Sequence, residues 1–174
     1  MLARASHFGA CLLLLGVLVF DRLIAISFGD YGSAELPALW SRISRGLVTW
    51  MLPAALLSGG WWMAMTCISM TGLPPREALT AENIGIIWNQ THFGQVWKWR
   101  VDFWIAMLFF VRLQRFGTRT SRFGQILAWL GLASAAALSA SLAWSGHAML
   151  EESGAWHLAA DVLHILVCGV WRFL

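Results

Sequence analysis

Residues 125–144 read QILAWLGLASAAALSASLAW, a run without a single charged side chain. An α-helix needs about 20 mostly apolar residues to cross about 30 Å of hydrocarbon, so this run is long enough to span a bilayer. Its many alanine, serine and glycine residues are small side chains that let membrane helices approach closely. The run therefore predicts a transmembrane helix that packs inside a bundle of similar helices.

The composition of the whole chain agrees with a lipid environment. Only 12% of its 174 residues are charged, whereas soluble globular domains average about 25%. The 59% hydrophobic content and the 12 tryptophans indicate the same environment, because tryptophan prefers the membrane–water interface. These values exclude an ordinary soluble enzyme domain, a disordered chain and a typical nucleic-acid binder. We expect an all-α integral membrane protein.

Four further apolar runs flank this stretch, and they predict a polytopic bundle of about five transmembrane helices. We expect a single domain, residues 1–174. Pro53 falls inside the second run, where neighbouring helices can satisfy the carbonyl that it frees. The third run is short, and its first turns carry Lys98, Arg100 and Asp102. The expected spans are residues 8–28, 46–70, 97–113, 125–144 and 156–174.

The orientation follows from the basic residues, which favour the cytoplasmic side of a membrane. The segment between the third and fourth spans contains four arginines and no acid, whereas Glu151 and Glu152 follow the fourth span without any lysine or arginine. Alternating helices then place the N-terminus on the external side of the membrane. Topology accounts for the net charge of +3, so no nucleic-acid partner is expected. The four arginines are Arg112, Arg115, Arg119 and Arg122.

The last span carries three side chains suited to binding a metal ion. At about 100° per residue, Asp161 lies about 40° from His157 and His164 about 20° from it on the other side, so all three share one stripe. Ionisable residues within a span usually face the protein interior and mark an ion or proton pathway. Imidazole binds copper, zinc, iron and nickel, and a nearby carboxylate acts as a ligand or orients the ring. The alternative is a hydrogen-bonded polar stripe that only joins helices.

Further ligand candidates lie towards the same side of the membrane, because all five histidines map to the external half under this topology. His147, in the loop after the fourth span, completes the main predicted metal set with His157, Asp161 and His164. Additional metal candidates are His7, His92 and Met149, although the two histidines taken singly fit a structural role better.

Sulfur-containing side chains form a softer set, since thioether and thiolate groups select Cu(I). Helical spacing scatters those at the end of the second span over different faces, so we expect them to pack as apolar side chains. The three cysteines form no C-x-x-C pair, and we expect all of them to be buried reduced thiols. The packing set is Met63, Met65, Cys67 and Met70, and the cysteines are Cys11, Cys67 and Cys168.

Three motifs follow one another in the second half of the chain. Residues 143–148, AWSGHA, contain W-x-G-H-A, and residues 156–171 contain H-L-x-x-D-x-x-H followed by Gly-Val-Trp. In order and spacing the three motifs resemble those of the copper resistance protein D family of bacterial inner-membrane proteins, over about residues 59–171. The first motif, residues 91–100, matches T-x-F-G-x-x-W-x-x-R through Thr91, Phe93, Gly94, Trp97 and Arg100.

The resemblance implies a multi-pass protein of the bacterial inner membrane that binds copper at its periplasmic side and takes part in copper uptake or resistance. It also implies a small periplasmic copper carrier as a partner. Family members have about eight spans of bilayer length, and their W-L-G-G-L ending reads WRFL at residues 171–174 here. We therefore expect a fragment, a frameshifted product or a shortened subunit. The matching ligand positions are His147, His157, Asp161 and His164.

Two other functions fit the sequence. A b-type haem protein would use histidines on facing helices as axial ligands. A non-catalytic accessory subunit of a larger membrane complex would suit the short chain and its tryptophans. The chain has no P-loop, no G-x-S-x-G elbow and no H-E-x-x-H helix. We expect no enzymatic activity, and we expect the lipid bilayer and other membrane subunits as partners.

Overall fold

Every regular element is a helix in the computed structural model, which describes residues 1–23, 35–114, 121–145 and 154–171. The predicted all-α membrane bundle is therefore confirmed. The elements are α1 (Leu2–Leu23), α2 (Glu35–Thr71), α3 (Pro75–Ala78), α4 (Ala81–Gln90), α5 (His92–Leu113), α6 (Arg122–Ala140) and α7 (Gly154–Trp171), with a 3₁₀ turn at Ala143–Ser145.

Three of the described helices are long and apolar enough to cross a bilayer: α1, the Ala38–Thr71 part of α2, and α6. The apolar part of α7, Ala155–Trp171, is shorter. Helix α5 has 22 residues, but Lys98, Arg100 and Asp102 stand close together in it. Length and composition therefore support three of the five expected spans, and the count of five stays a prediction.

The helix ends differ from the predicted ones where side chains cap the backbone. Helix α5 begins at His92 rather than at residue 97, because the Thr91 hydroxyl accepts a hydrogen bond from the Gly94 N–H at 3.0 Å. Helix α6 begins at Arg122, where the Ser121 hydroxyl accepts from the Gly124 N–H in the same way. It ends at Ala140 rather than at residue 144, and the 3₁₀ turn follows.

The other boundaries also shift. Helix α1 begins at Leu2, and helix α2 begins at Glu35 rather than at residue 46. With 37 residues, α2 is about 55 Å long at 1.5 Å per residue, so its first turns extend beyond the hydrocarbon. The predicted connection between the second and third spans contains the short helices α3 and α4.

Helix α1 is the centre of the bundle, and it packs closely against α2, α6 and α7. Its side chains Cys11, Leu14 and Val17 are almost completely buried. Close approach to α7 depends on Gly169, because a Cβ atom there would lie 2.9 Å from a methyl group of Leu15. Across the interface with α6, the Ser139 hydroxyl donates to the Cys11 carbonyl at 3.3 Å. Small and polar side chains therefore hold these helices together, as in other membrane bundles.

Helix α5 packs closely against α4 and α6, but it reaches α1 and α2 through long side chains. The Trp104 Nε1–H donates to the Leu52 carbonyl of α2 at 3.0 Å, and Arg100 reaches α1. At these two positions, side chains rather than close backbone contact connect α5 with its two neighbours.

The junction of α4 and α5 yields a stability prediction. A Cβ atom on Gly94 would lie 2.2 Å from the Ile87 carbonyl oxygen and 2.4 Å from that of Trp88, and both are backbone atoms that cannot rotate away. We expect Gly94→Ala to lower the free energy of unfolding by about 2 kcal/mol, since overpacking typically costs 1–3 kcal/mol. Thermal unfolding in a mild detergent measures the change.

The matched control is Gly85→Ala in α4, where an added Cβ meets nothing within 4 Å. We expect this variant to be at least as stable as the wild type, because alanine has the higher helix propensity. Equal melting temperatures for the two variants would contradict the close α4–α5 contact.

Candidate functional site

A buried arginine lies at the centre of the most polar region of the described bundle. Arg100 of α5 is only 2% exposed, and the capped start of α5 at Thr91 sets its position along the helix. Its polar neighbours come from α1 and from the end of α6, and tryptophan rings cover it. We call this group the Arg100 cluster: His7, Cys11, Trp62, Trp97, Arg100 and Ser141.

The Arg100 guanidinium joins three helices. Its Nη1 donates to the Ser141 hydroxyl at 2.6 Å and to the Leu138 carbonyl at 3.5 Å. Its Nη2 donates to the Nε2 atom of His7 and lies 3.9 Å from the Cys11 sulfur. Leu138 is in the last turn of α6, where the helix dipole favours a positive charge. Arg100 thus caps the end of α6 while it holds α1.

The hydrogen bonds of His7 assign the tautomer of its ring. Its Nδ1 lies 2.9 Å from the Ala55 carbonyl oxygen, and a carbonyl can only accept, so Nδ1 carries the proton. Its Nε2 therefore has the free lone pair, which accepts from Arg100. Because a metal ion would need that same lone pair, His7 is directed at the guanidinium and not at a metal in this arrangement.

Aromatic rings complete the enclosure of the cluster. The guanidinium carbon of Arg100 lies 5.2 Å from the Trp97 ring centre and 5.9 Å from that of Trp62. These are cation–π distances, and such contacts are stronger where water is excluded. Phe93 packs against both tryptophans. The charge is thus held by neutral hydrogen-bond acceptors and ring faces, and within the described residues no carboxylate is among its partners.

This geometry explains the first sequence motif. Thr91 caps α5, Gly94 allows the close contact with α4, Phe93 and Trp97 form the aromatic cover, and Arg100 makes the buried hydrogen bonds. Each motif position therefore has a structural task. The motif positions are brought together with His7, which the sequence pattern left as a separate candidate.

The predicted metal stripe lies elsewhere, on the outer face of α7. Ionisable side chains within a span usually face the protein interior, but those of His157, Asp161 and His164 are all exposed on one face of α7. The expected inward orientation is therefore wrong. The Cys168 sulfur lies 3.6 Å from the His164 Nε2 atom on that face. The opposite face of α7 packs against the bundle through Ile165, Leu166, Gly169 and Val170.

Of the remaining predicted metal ligands, the structure describes one and leaves two outside the described residues. His92 is exposed at the first position of α5, whereas His147 and Met149 lie outside the described residues. Within the ranges that the structure describes, no three or more His, Cys, Asp and Glu side chains are grouped closely enough to hold a metal ion. The expectation of three buried thiols was wrong for Cys168, which is exposed, and right for Cys11 and Cys67.

Sequence reasoning missed Cys11 and Ser141 as partners of the buried arginine. His7 and Cys11 are four residues apart on one helix, and this spacing places them on the same face. Nothing in the local sequence connects them with Arg100, which is 93 positions away from His7. Only the tertiary packing brings the two segments together.

The Arg100 cluster yields a second stability prediction. Replacing Arg100 by alanine leaves the Ser141 hydroxyl and the His7 Nε2 atom without their donor and opens a cavity. We expect Arg100→Ala to lower the free energy of unfolding by about 3 kcal/mol or more, since each buried acceptor left without its donor costs about 1–3 kcal/mol and the cavity adds to this loss. Arg100→Lys restores part of this loss, since one ammonium cannot reproduce the planar donor fork of a guanidinium.

The control for this prediction is Arg76→Ala, which removes an exposed arginine of α3. Chemical unfolding followed by circular dichroism measures the free energy of unfolding of Arg100→Ala, Arg100→Lys and Arg76→Ala. Should Arg100→Ala unfold at the same denaturant concentration as Arg76→Ala, the cluster would not be the structural clamp described above.

Comparison with known proteins agrees with the motifs. The family model described as "Copper resistance protein D-like, N-terminal domain" matches residues 1–158. No curated protein and no solved structure matches the chain. The match covers most of the chain, and it includes α1 to α6 and the beginning of α7. The chain is a helical membrane protein related to copper, and it belongs to the copper resistance protein D family.

Proposed function

We propose that the protein binds copper as its cargo at the periplasmic side of the bacterial inner membrane and takes part in copper uptake or resistance. The observation that carries the proposal is the exposed stripe of α7 that contains His157, Asp161 and His164 in a chain of the copper resistance protein D family. The proposal assigns His157 and His164 as ligands and Asp161 as a ligand or as the group that orients an imidazole ring.

The chemistry of the face suits copper. Imidazole binds copper in either common oxidation state, and a thiolate favours Cu(I). The 3.6 Å separation between the His164 Nε2 atom and the Cys168 sulfur lets both atoms approach one ion after a small side-chain rotation. His147, with Met149 as an additional candidate, would complete the set from the segment that precedes α7.

The cost of exposing this face supports a protein partner. Ionisable side chains that face lipid are expensive, and they normally face protein or a water-filled path. We therefore propose that a small periplasmic copper carrier or another membrane subunit covers the face during copper transfer. No catalytic step is part of the proposal, since copper is received and passed on without a change in covalent bonds.

The geometry favours copper over the haem b alternative. Ligation of haem by two histidines on facing helices places them on opposite sides of the iron, whereas His157 and His164 lie on the same face of one helix. His7, which is buried, already accepts a hydrogen bond from Arg100 through its Nε2 atom. The supporting observations therefore point to a surface that collects a metal ion rather than to an enclosed cofactor.

Copper content after single substitutions tests the proposal. We expect His157→Ala or His164→Ala to weaken copper binding about tenfold or more, since even groups that merely orient a ligand contribute 10–100-fold to metal affinity. Elemental analysis of untagged protein after copper loading and dialysis measures the bound metal. An absorption spectrum of the same sample distinguishes haem, whose Soret band would contradict the copper assignment.

Two controls separate ligand loss from general damage. Leu163→Ala removes an exposed apolar side chain from α7 beside the proposed ligands, and Met63→Leu replaces a methionine that packs in the core. Both variants are expected to retain wild-type copper. Unchanged copper in both histidine variants would remove the proposed site.

A further inference from the structure

A large cavity opens on the side of the bundle away from the Arg100 cluster. Its volume is about 590 Å³, and its lining comes from the last turns of α1 and α5, the first half of α2 and the first turns of α6. It occupies the space that α5 leaves because it does not pack closely against α1 and α2. Leu56 and Trp104 border both this cavity and the small space beside Arg100.

The mouth of the cavity is basic. Arg22, Arg45 and Arg112 line it together with a single carboxylate, that of Asp21. The guanidinium of Arg22 lies 4.9 Å from the Trp129 ring centre, and its Nε atom is buried without a hydrogen-bond partner among the described residues. Arg45 and Arg112 are exposed at the surface. Three arginines from three helices thus surround one opening, and their charge exceeds that of the acid.

The walls deeper in the cavity are apolar. Val17 of α1, Val48 and Leu52 of α2, and Leu108 and Val111 of α5 line it below the arginines. An arginine-lined mouth recognises phosphate, since the guanidinium fork matches phosphate oxygens. Apolar walls offer no hydrogen bonds to a free phosphate ion, but an acyl chain can pack against them. The two parts together fit an anionic amphiphile.

We propose that this cavity binds an anionic phospholipid, with the phosphate against the arginines of the mouth and an acyl chain along the apolar walls. The positive-inside rule places the arginine-lined end of the bundle at the cytoplasmic side. Basic pockets between transmembrane helices on that side bind anionic head groups. The lipid fills the gap between α5 and its neighbours and stabilises the bundle. This site is independent of copper binding.

Lipid-dependent stability in detergent tests the proposal. The full chain is purified in a neutral detergent and titrated with phosphatidylglycerol, with phosphatidylcholine of the same acyl chains, or with inorganic phosphate. We expect phosphatidylglycerol to raise the melting temperature and to remain bound in native mass spectra. Equal effects of the two lipids would overturn the proposal, and so would inorganic phosphate that stabilises as strongly as phosphatidylglycerol.

Matched arginine variants locate the binding. We expect Arg45→Ala combined with Arg112→Ala to weaken phosphatidylglycerol binding about tenfold or more, since both lining guanidiniums lose their charge-assisted hydrogen bonds to the bound phosphate. The control is Arg42→Ala. Arg42 is exposed one turn before Arg45, but it does not line the cavity, so this variant should keep its phosphatidylglycerol affinity within twofold. Wild-type affinity in the double variant would overturn the proposal. The single variants Arg45→Ala and Arg112→Ala provide the same comparison if the double variant does not fold.

Discussion

The buried charge of Arg100 constrains the rest of the bundle. A guanidinium removed from water is stable only where hydrogen bonds and polarisable faces replace its hydration, and the structure supplies these from several helices. The Nε2 atom of His7 accepts one hydrogen bond, and the Ser141 hydroxyl and the Leu138 carbonyl accept others at the end of α6. The Trp97 ring covers one face of the guanidinium. The relative positions of α1, α5 and α6 are therefore restricted to those in which Arg100 makes these contacts. Because α6 ends at Ala140, the groups at its end can accept hydrogen bonds from Arg100.

The same constraint makes the two halves of the bundle differ in their packing. Long side chains from α5 fill the half of the bundle around Arg100, whereas the other half keeps a cavity of about 590 Å³. The buried histidine and cysteine of the cluster, His7 and Cys11, are in contact with a cation, which opposes the approach of a second cation. The copper site that we propose is therefore on the outer face of α7, whose inner face packs against α1.

Hydrophobic length and helical periodicity predicted the all-α membrane bundle and the shared face of His157, Asp161 and His164. Capping explains the differences in helix ends, since Thr91 and Ser121 are recognisable caps that an apolar-run criterion ignores. The partners of Arg100 were beyond sequence reasoning, because His7 and Ser141 are distant in the chain and meet only through tertiary packing. Periodicity also could not decide which face of α7 meets the bundle. The small residue Gly169, beside Leu15, settles that choice through close helix contact.

We propose that copper is collected on the outer face of α7, whereas the Arg100 cluster only holds the helices together. Anomalous diffraction from copper-loaded crystals, recorded above and below the copper absorption edge, locates the metal directly. The account predicts an anomalous peak beside the rings of His157 and His164. A peak between His7 and Cys11, with Arg100 displaced, would contradict it.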